Sequence, residues 1–251
     1  MRADVFLLES GHAATRSQAQ RLIASGVHWR PSPLSPWQPV AKNGADIPPG
    51  AQLHLLGAAE ARYLSRAGLK LEAALGALGL CVAARRCLDV GQSTGGFTDC
   101  LLQRGAAQVV GVDVGHGQLH PQLRADARVV CVEGLNARTL TAQSLPGPAG
   151  FDLITADLSF ISLTLVLPAL VPLLAADGDL LLLVKPQFEL QPGQLGKGGI
   201  VRNAALYAVV ERRIRDCCAH LALAVLAWCA SPIRGGDGNR EFFVHARRAT
   251  R

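Results

Sequence analysis

The chain has 251 residues, of which 49% are hydrophobic and 18% are charged. This apolar content excludes a disordered chain, and the length is sufficient for one full core with a small appended module. The formal net charge of +6 fits a polyanionic partner, although many ordinary proteins carry as much.

Cysteine spacing and hydropathy limit the compartment. The chain has seven cysteines, an odd number, and no CxxC pair, which indicates a reducing compartment and no zinc site. Residues 163–176 are the most apolar stretch, but they contain two prolines and fall short of the roughly 18 residues that span a membrane. Glu9, His12 and Arg16 interrupt any signal peptide. We therefore expect a cytoplasmic protein that binds neither a metal nor a membrane.

Residues 1–60 have the pattern of a small module. A short helical pattern covers residues 17–26, and a proline-rich stretch follows it. Residues 52–56 are strand-like. No dominant apolar run is present, so this part of the chain is expected to build only a small core.

Residues 61–251 alternate between strand and helix patterns after a first predicted helix at about residues 60–80. This alternation predicts an α/β fold with a mostly parallel seven-stranded sheet that is covered on both faces. A short glycine-rich loop joins the last two apolar runs, so the last strand is predicted to be antiparallel. The predicted strands are 87–90, 109–112, 129–132, 153–155, 180–184, 223–228 and 242–244.

A glycine-rich turn (DVGQSTGGF) follows the first of these strands, from Asp89 to Phe97. It is not a P-loop, because it has no lysine, and it lacks the G-x-G-x-x-G fingerprint of dinucleotide sites. Asp113 ends the next strand, where an acidic residue accepts the ribose hydroxyls of an adenosine. Together these features predict a methyltransferase site for S-adenosylmethionine, with a tight turn that binds nothing as the alternative. The predicted cofactor residues are Asp89, Gly91, Ser93, Thr94, Gly95, Gly96, Phe97, Asp113, Asn136 and Asp157.

Charged residues stand at the ends of three predicted strands. These are Asp157, Lys185 and Glu241, and Lys70 lies on the first predicted helix. A lysine placed there can hydrogen-bond a ribose hydroxyl and stabilise negative charge that develops on its oxygen, while nearby carboxylates orient the lysine. Each charge alone is typical of a solvated strand end. The four positions together predict catalytic residues.

Other methyl acceptors leave different marks on a sequence. Methylation at carbon 5 of a pyrimidine needs a cysteine nucleophile, typically after proline, and no Pro-Cys pair is present. Amino-group methylation favours an Asn/Asp-Pro-Pro-aromatic turn after the fourth strand. Residues 157–160 (DLSF) have the acid and the aromatic residue but neither proline. An RNA amino-group methyltransferase therefore remains the enzymatic alternative.

Six segments of the chain together match one known family: 65–72, 89–99, 157–162, 185–189, 197–202 and 231–242. They resemble the TlyA type of ribosomal RNA methyltransferases, which are also called haemolysin-A-like. The resemblance implies that residues 61–251 form a Rossmann-like domain that methylates the 2′-hydroxyl of cytidine in ribosomal RNA, with S-adenosylmethionine as cofactor and a ribosomal subunit as partner. It also implies that Lys70, Asp157, Lys185 and Glu241 form the catalytic tetrad of this type.

The same resemblance implies that residues 1–60 form an alpha-L (S-four-like) RNA-binding module. On the first predicted helix, cations recur with Lys70 at every fourth position, and an RNA backbone explains such like charges better than a solvated face does. A non-catalytic ribosome-binding protein and a haemolysin-like protein are the remaining alternatives. The predicted RNA-binding residues are Arg2, Arg16, Arg21, Arg62 and Arg66.

The sequence departs from the TlyA type at three places. Gln92 stands in the cofactor turn where a small residue is usual, and Ala67 replaces a usual glycine. Residues 28–31 (HWRP) replace the Asn-Gly hairpin of the module. These departures concern the shape of the cofactor turn and the RNA-binding surface of the module.

Overall fold

The computed structural model describes residues 1–56 and 62–249 of the chain. Two compact units are present, Met1–Leu69 and Lys70–Arg251. The domain boundary predicted after residue 60 falls within residues 57–61, which lie outside the described residues. That boundary therefore stays a prediction, and each unit is described by itself.

The N-terminal unit packs two helices against a small antiparallel sheet with the strand order β2-β1-β3. The side chain of Thr15 caps the second helix by accepting a hydrogen bond from the Gln18 backbone N–H at 3.1 Å. Ala3, Leu7, Leu22 and Ile47 are fully buried in its core. The elements are α1 (Ala3–Glu9), α2 (Arg16–Gly26), β1 (Val27–Arg30), β2 (Gln38–Pro39) and β3 (Gln52–Leu55).

The C-terminal unit is built on a seven-stranded sheet with the order β6-β5-β4-β7-β8-β10-β9. All seven predicted strands are present, and β10 runs antiparallel to both of its neighbours, as the sequence predicts. The α/β fold class with a mostly parallel sheet is therefore confirmed. The strands are β4 (Arg86–Val90), β5 (Gln108–Asp113), β6 (Val129–Glu133), β7 (Phe151–Ala156), β8 (Leu174–Val184), β9 (Leu223–Ala230) and β10 (Phe242–Arg248).

Helices and short 3-10 turns precede or connect these strands. The helices are α3 (Arg66–Ala77), α4 (Gly96–Gln103), α5 (Pro121–Arg124), α6 (Leu167–Leu170), α7 (Pro186–Glu189) and α8 (Ala205–His220). The 3-10 turns are Ala137–Thr139, Ala142–Ser144, Leu163–Leu165, Val171–Leu173, Pro192–Gln194 and Lys197–Gly199. Across the described ranges, no helix is both long enough and apolar enough to cross a membrane.

The predicted start of the first helix is wrong. Residues 62–65 form bends, and α3 begins only at Arg66. Leu64 is nevertheless buried, so its spacing of seven from Leu71 imitates a helical face. Arg62 consequently lies before the helix, and only Arg66 and Lys70 of the predicted row of cations share α3.

The strand order reverses beside β4, which has β5 on one side and β7 on the other. Ligands of open α/β sheets bind at the carboxyl ends of the strands where the order reverses. The apolar run at 180–184 in β8 is almost completely buried, and it fixes the sheet between its covering layers. The predicted functional residues at the ends of β4, β5, β7 and β8 therefore share one edge.

A buried carboxylate, that of Asp179 in the middle of β8, ties β8 to β10. Asp179 accepts hydrogen bonds from His245 Nε2 at 2.6 Å, from Arg247 Nε at 2.6 Å and from Arg85 Nη1 at 2.7 Å. Burial raises the pKa of this carboxyl, but the three donors outweigh burial and hold the pKa well below its usual range. The ionised carboxylate therefore stabilises the fold.

We expect Asp179→Asn to lower the free energy of unfolding by about 3 kcal/mol at neutral pH, because it leaves buried donors without their anion. A depressed pKa contributes stability above pH 4 that disappears as the pH falls further, so the deficit of the variant should shrink at low pH. Urea unfolding at pH 7 and near pH 3 measures both effects. Asp177→Asn, at an exposed position of β8, is the control, and an Asp179→Asn midpoint equal to that of the control would contradict the role.

Candidate active site

The turn after β4 passes very close to the end of β7. Gly91 has φ +84°, and a Cβ added there would lie 2.5 Å from the Asp157 carbonyl oxygen. Its backbone N–H donates to the Val112 carbonyl at 2.8 Å. Glycine is thus required both for the backbone conformation and for the close approach. The turn is thereby held against the ends of both neighbouring strands.

A chain of buried side chains supports this turn from below. Gln92 Nε2 donates to Thr98 Oγ1 at 2.9 Å, and Thr98 donates to Asp89 Oδ2 at 2.7 Å. The side chain of Gln92 lies where Gly111 leaves room, since a Cβ at Gly111 would be 1.9 Å from Gln92 Nε2. The unusual Gln92 therefore points under the turn and packs on β5, with only 3% of its surface exposed.

The first cavity, of about 470 Å³, opens above this turn. The Asp113 carboxylate at its wall accepts hydrogen bonds from the backbone N–H groups of Ser93 and Gly115, both at 2.7 Å. These bonds fix the carboxylate while each oxygen keeps capacity for another donor. The predicted cofactor residues that line the first cavity are Gly91, Ser93, Asp113, Asn136 and Asp157.

The other five predicted cofactor residues lie at the end of β4, in the turn and at the start of the helix that follows it, and they are not among the residues that line the first cavity. Asp89 is fully buried, and Gly95, Gly96 and Phe97 are buried at the start of α4. Phe97 stacks on Phe243 of β10 with ring centroids 6.2 Å apart. Thr94 is exposed, and its carbonyl accepts the His120 N–H at 3.3 Å. Contacts of these five residues with a cofactor stay predictions.

The four predicted catalytic residues form two lysine–carboxylate pairs. Lys70 Nζ lies 2.5 Å from Glu241 Oε2, and Lys185 Nζ lies 2.6 Å from Asp157 Oδ1. Phe242 pairs with Val184 in the β10–β8 ladder, which places Glu241 beside Lys185. Both pairs therefore lie at the carboxyl edge of the sheet. In each pair, a lysine contacts a carboxylate from a distant segment of the chain.

The two pairs differ in exposure. The side chains of Lys70 and Glu241 are only 5% and 2% exposed, whereas those of Lys185 and Asp157 are 13% and 18% exposed. Lys185 also donates to Ser159 Oγ at 2.9 Å. Lys185 is thus the lysine whose ammonium a substrate can reach, and Lys70 is enclosed with its partner.

The second cavity, of about 450 Å³, adjoins the first, because Ser159 and Phe160 line both. Phe160 has φ +64°, is 91% exposed and packs its ring 5.2 Å from that of Phe188. A non-glycine residue in this conformation at a cavity mouth indicates function. The lining residues are Ser159, Phe160, Lys185, Gln187, Phe188, Leu195, Gly198, Gly199, Gly236, Asp237 and Glu241.

The sequence alone assigned no site role to Ser159, Phe160, Gln187 or Asp237. Their signal was present, because all four lie within segments that carry the family resemblance. Their roles depend on contacts between distant segments, such as the hydrogen bond between Gln187 and Asp237, and no local pattern encodes those contacts.

The predicted RNA-binding arginines have varied surroundings. In the N-terminal unit, Arg2 and Arg16 both bond the buried carboxylate of Asp4, with Nε–O distances of 3.0 Å. The hydrogen bond from Arg2 is the main cause that holds the pKa of Asp4 below its usual range. The guanidinium side chains remain 51% and 58% exposed. Asp4 therefore orients the guanidinium groups of Arg2 and Arg16 at the surface. Of the other predicted RNA-binding residues, Arg21 and Arg66 are half-buried and Arg62 is exposed.

The fold and this edge of the sheet define a methyltransferase. The sequence model of the FtsJ-like methyltransferases matches residues 63–248, and the chain belongs to this family.

Close relatives confirm the resemblance to the TlyA type. The chain is 45% identical over 253 residues to the 16S/23S rRNA (cytidine-2′-O)-methyltransferase TlyA of Mycobacterium tuberculosis, covering 99% of this chain and 90% of the relative. It is 35% identical to Hemolysin A of Brachyspira hyodysenteriae, covering 98% and 99% of the two chains. A solved structure from Streptococcus thermophilus is 38% identical with a TM-score of 0.74, covering 99% and 88%.

We expect Asp89→Asn to change the pH dependence of stability. Burial, together with the nearby Asp157 charge, raises the pKa of Asp89 to about 7, above its value near 3.9 in the unfolded chain. A raised pKa contributes stability below pH 4 that is lost as the pH rises to 7, at roughly 1.4 kcal/mol per unit. The variant lacks this loss, so its unfolding free energy relative to wild type should rise between pH 4.5 and 8. A constant difference would contradict the prediction, and Asp46→Asn, 92% exposed, is the control.

Proposed function

We propose that the protein methylates the 2′-hydroxyl of cytidine in ribosomal RNA with S-adenosylmethionine. The observation that carries the proposal is the Lys185–Asp157 pair, which stands where the two cavities meet. The name of the Mycobacterium tuberculosis relative supports the acceptor atom, the nucleotide and the RNA class. In this arrangement the cofactor occupies the first cavity and the target nucleotide occupies the second.

The residues of the first cavity fit S-adenosylmethionine. Asp113 has the position and the accepting capacity to bind both ribose hydroxyls of the adenosine. Asp157 Oδ1 is buried and has no well-aligned hydrogen-bond donor among the described residues, although Lys185 neutralises its charge. The bound cofactor supplies an electrophilic methyl group, and this chain supplies the acceptor geometry.

Lys185 is the residue that acts on the acceptor oxygen. Asp157 and Ser159 hold its ammonium at the end of β8, with its remaining donor capacity directed to the second cavity. The ammonium donates to the ribose 2′-oxygen and stabilises the negative charge that develops on it as the hydroxyl proton passes to solvent water. A fixed donor needs little reorganisation during the reaction.

Lys70 and Glu241 stabilise the wall of the second cavity around Glu241. Their nearly complete burial makes a mobile role in proton transfer unsuitable, because both charges depend on each other for stability. Lys70 instead holds the carboxylate of Glu241 at the cavity wall beside Lys185. The pair thereby fixes the start of β10 relative to α3.

Phe160 gives the second cavity an exposed aromatic surface against which an unstacked base can pack. Sequence-specific RNA recognition commonly uses such stacking on splayed-out bases. In the N-terminal unit, which we assign as the S-four-like RNA-binding module, Arg2, Arg16 and Arg21 contact the RNA backbone. Arg62 and Arg66 add cations next to the catalytic unit in the sequence.

We expect Lys185→Ala to reduce methyl transfer to ribosomal RNA by roughly 10²–10⁴-fold without weakening cofactor binding. Asp113→Ala should instead weaken the binding of S-adenosylmethionine, by about 1.5–3 kcal/mol, because a charge-assisted contact is lost. Single-turnover transfer of a tritiated methyl group and calorimetric titration with S-adenosylmethionine separate the two effects.

Lys42→Ala, which removes an exposed lysine, is the matched control for Lys185→Ala. Near-wild-type transfer by Lys185→Ala would remove Lys185 from the mechanism and favour the amino-group alternative. Equal cofactor affinity of Asp113→Ala and wild type would overturn the assignment of the first cavity.

The RNA-binding role of the N-terminal unit is tested by salt dependence. We expect Arg16→Gln to weaken binding to ribosomal RNA and to reduce the slope of log affinity against log salt by about one, as the loss of one phosphate contact does. Asp4 keeps both bonds to Arg2 in this variant, so the unit should stay folded. Arg212→Gln, at an exposed position of α8, is the control, and identical slopes for the two variants would refute the contact.

A further inference from the structure

One amide group in the wall of the second cavity leaves its carbonyl oxygen without a hydrogen bond. Gln187 lies two residues after Lys185 in α7, is 9% exposed and lines the second cavity. Its Nε2 donates to Asp237 Oδ2 at 2.9 Å. Its Oε1 is buried and has no hydrogen-bond partner among the described residues. Buried acceptors without a donor are costly and therefore indicate a missing partner.

The surroundings of Asp237 fix which end of this amide is free. Asp237 also accepts hydrogen bonds from the backbone N–H of Asn239 at 3.0 Å and from Asn239 Nδ2 at 2.9 Å. Burial raises the pKa of Asp237, but these bonds outweigh it and keep the pKa below its usual range, so the carboxylate stays ionised and only accepts. The nitrogen of Gln187 must therefore face Asp237, and the carbonyl oxygen is presented elsewhere.

Asn239 makes this arrangement rigid. It is 2% exposed, its Oδ1 accepts the Val201 N–H at 2.9 Å, and its Nδ2 also donates to the Gly199 carbonyl at 3.0 Å. Three segments of the C-terminal unit, around residues 187, 199 and 237, are thus joined at one wall of the second cavity. The orientation of Gln187 is set before any nucleotide arrives.

We propose that Gln187 determines nucleotide specificity by accepting a hydrogen bond from the exocyclic amine of the target cytosine, and that Asp237 is a positioning residue that fixes the amide. The inference rests on the proposed function and deepens it. With the ribose at Lys185, the base occupies the same cavity, whose wall includes Gln187 and Phe160. Uridine carries a carbonyl oxygen in place of the amine, so two acceptors would face each other and uridine is rejected.

The test compares three RNA substrates, each offered to the whole chain. Each is the same ribosomal RNA fragment, and they differ only at the nucleotide that the wild-type protein methylates. That position holds cytidine, uridine or pyrimidin-2-one riboside, which lacks the exocyclic group. Single-turnover rates should fall at least roughly tenfold for both replacements in wild type, as expected for a site built to bind a donor. In Gln187→Met, the rates for cytidine and pyrimidin-2-one riboside should become nearly equal, because no acceptor remains to be left unsatisfied.

A second variant tests the orientation. Asp237→Asn places an amide beside Gln187, which lets the glutamine turn its nitrogen to the cavity, so the preference for cytidine over uridine should shrink. Gln143→Met, an exposed glutamine that lines neither cavity, should keep the wild-type ratios. Cofactor affinity and thermal unfolding show that each variant is folded, and Asp237→Asn decides the matter if Gln187→Met does not fold.

The outcomes separate the two proposals. Unchanged rate ratios in folded Gln187→Met or Asp237→Asn overturn the role of Gln187 and leave the methyltransferase function intact. Equal wild-type rates on cytidine and uridine also overturn it, because no discrimination then exists. No transfer by wild type to any 2′-hydroxyl overturns the proposed function itself.

Discussion

At the end of β4 the backbone of Gly91 passes so close to the Asp157 carbonyl that no side chain fits between them. This approach depends on the parallel pairing of β4 with β7, in which Val90 faces Ala156. It brings the turn that borders the first cavity against the residue that orients Lys185. In the proposed mechanism, cofactor binding and acceptor activation therefore both depend on this backbone contact, and a change that widens it should separate the two cavities.

The two lysine–carboxylate pairs show how burial assigns different tasks to the same chemistry. The Lys70–Glu241 pair is enclosed, so its charges serve each other and the shape of the cavity wall. The Lys185–Asp157 pair is partly exposed to solvent, so the Lys185 ammonium is accessible to a substrate. Ser159 adds a neutral partner that orients the ammonium without cancelling its charge.

The sequence predicts the sheet well because each strand is a short apolar run, and runs buried on both faces are recognisable without tertiary information. It places the start of α3 too early, because buried Leu64 continues the leucine spacing through a bent segment. The positions of Asp157, Lys185 and Glu241, which we propose for the active site, are predictable as strand-end charges, and that of Lys70 by resemblance. Their pairing is not, because Lys70 and Glu241 are 171 positions apart. Gln92 illustrates the same limit, since only the β4–β5 pairing shows that Gly111 makes room for it.

The position of β10 has a consequence for the order in which the sheet is assembled during synthesis. This strand follows the other nine along the chain, yet it lies between β8 and β9 inside the sheet. Until it emerges from the ribosome, β8 presents an open edge whose residues 180–184 are apolar, and β9 has no partner at all. Open edges of this kind invite pairing with other chains. Nascent chains that stall before residue 242 should therefore need a chaperone, and the sheet gains Glu241 together with the strand that joins β8 to β9.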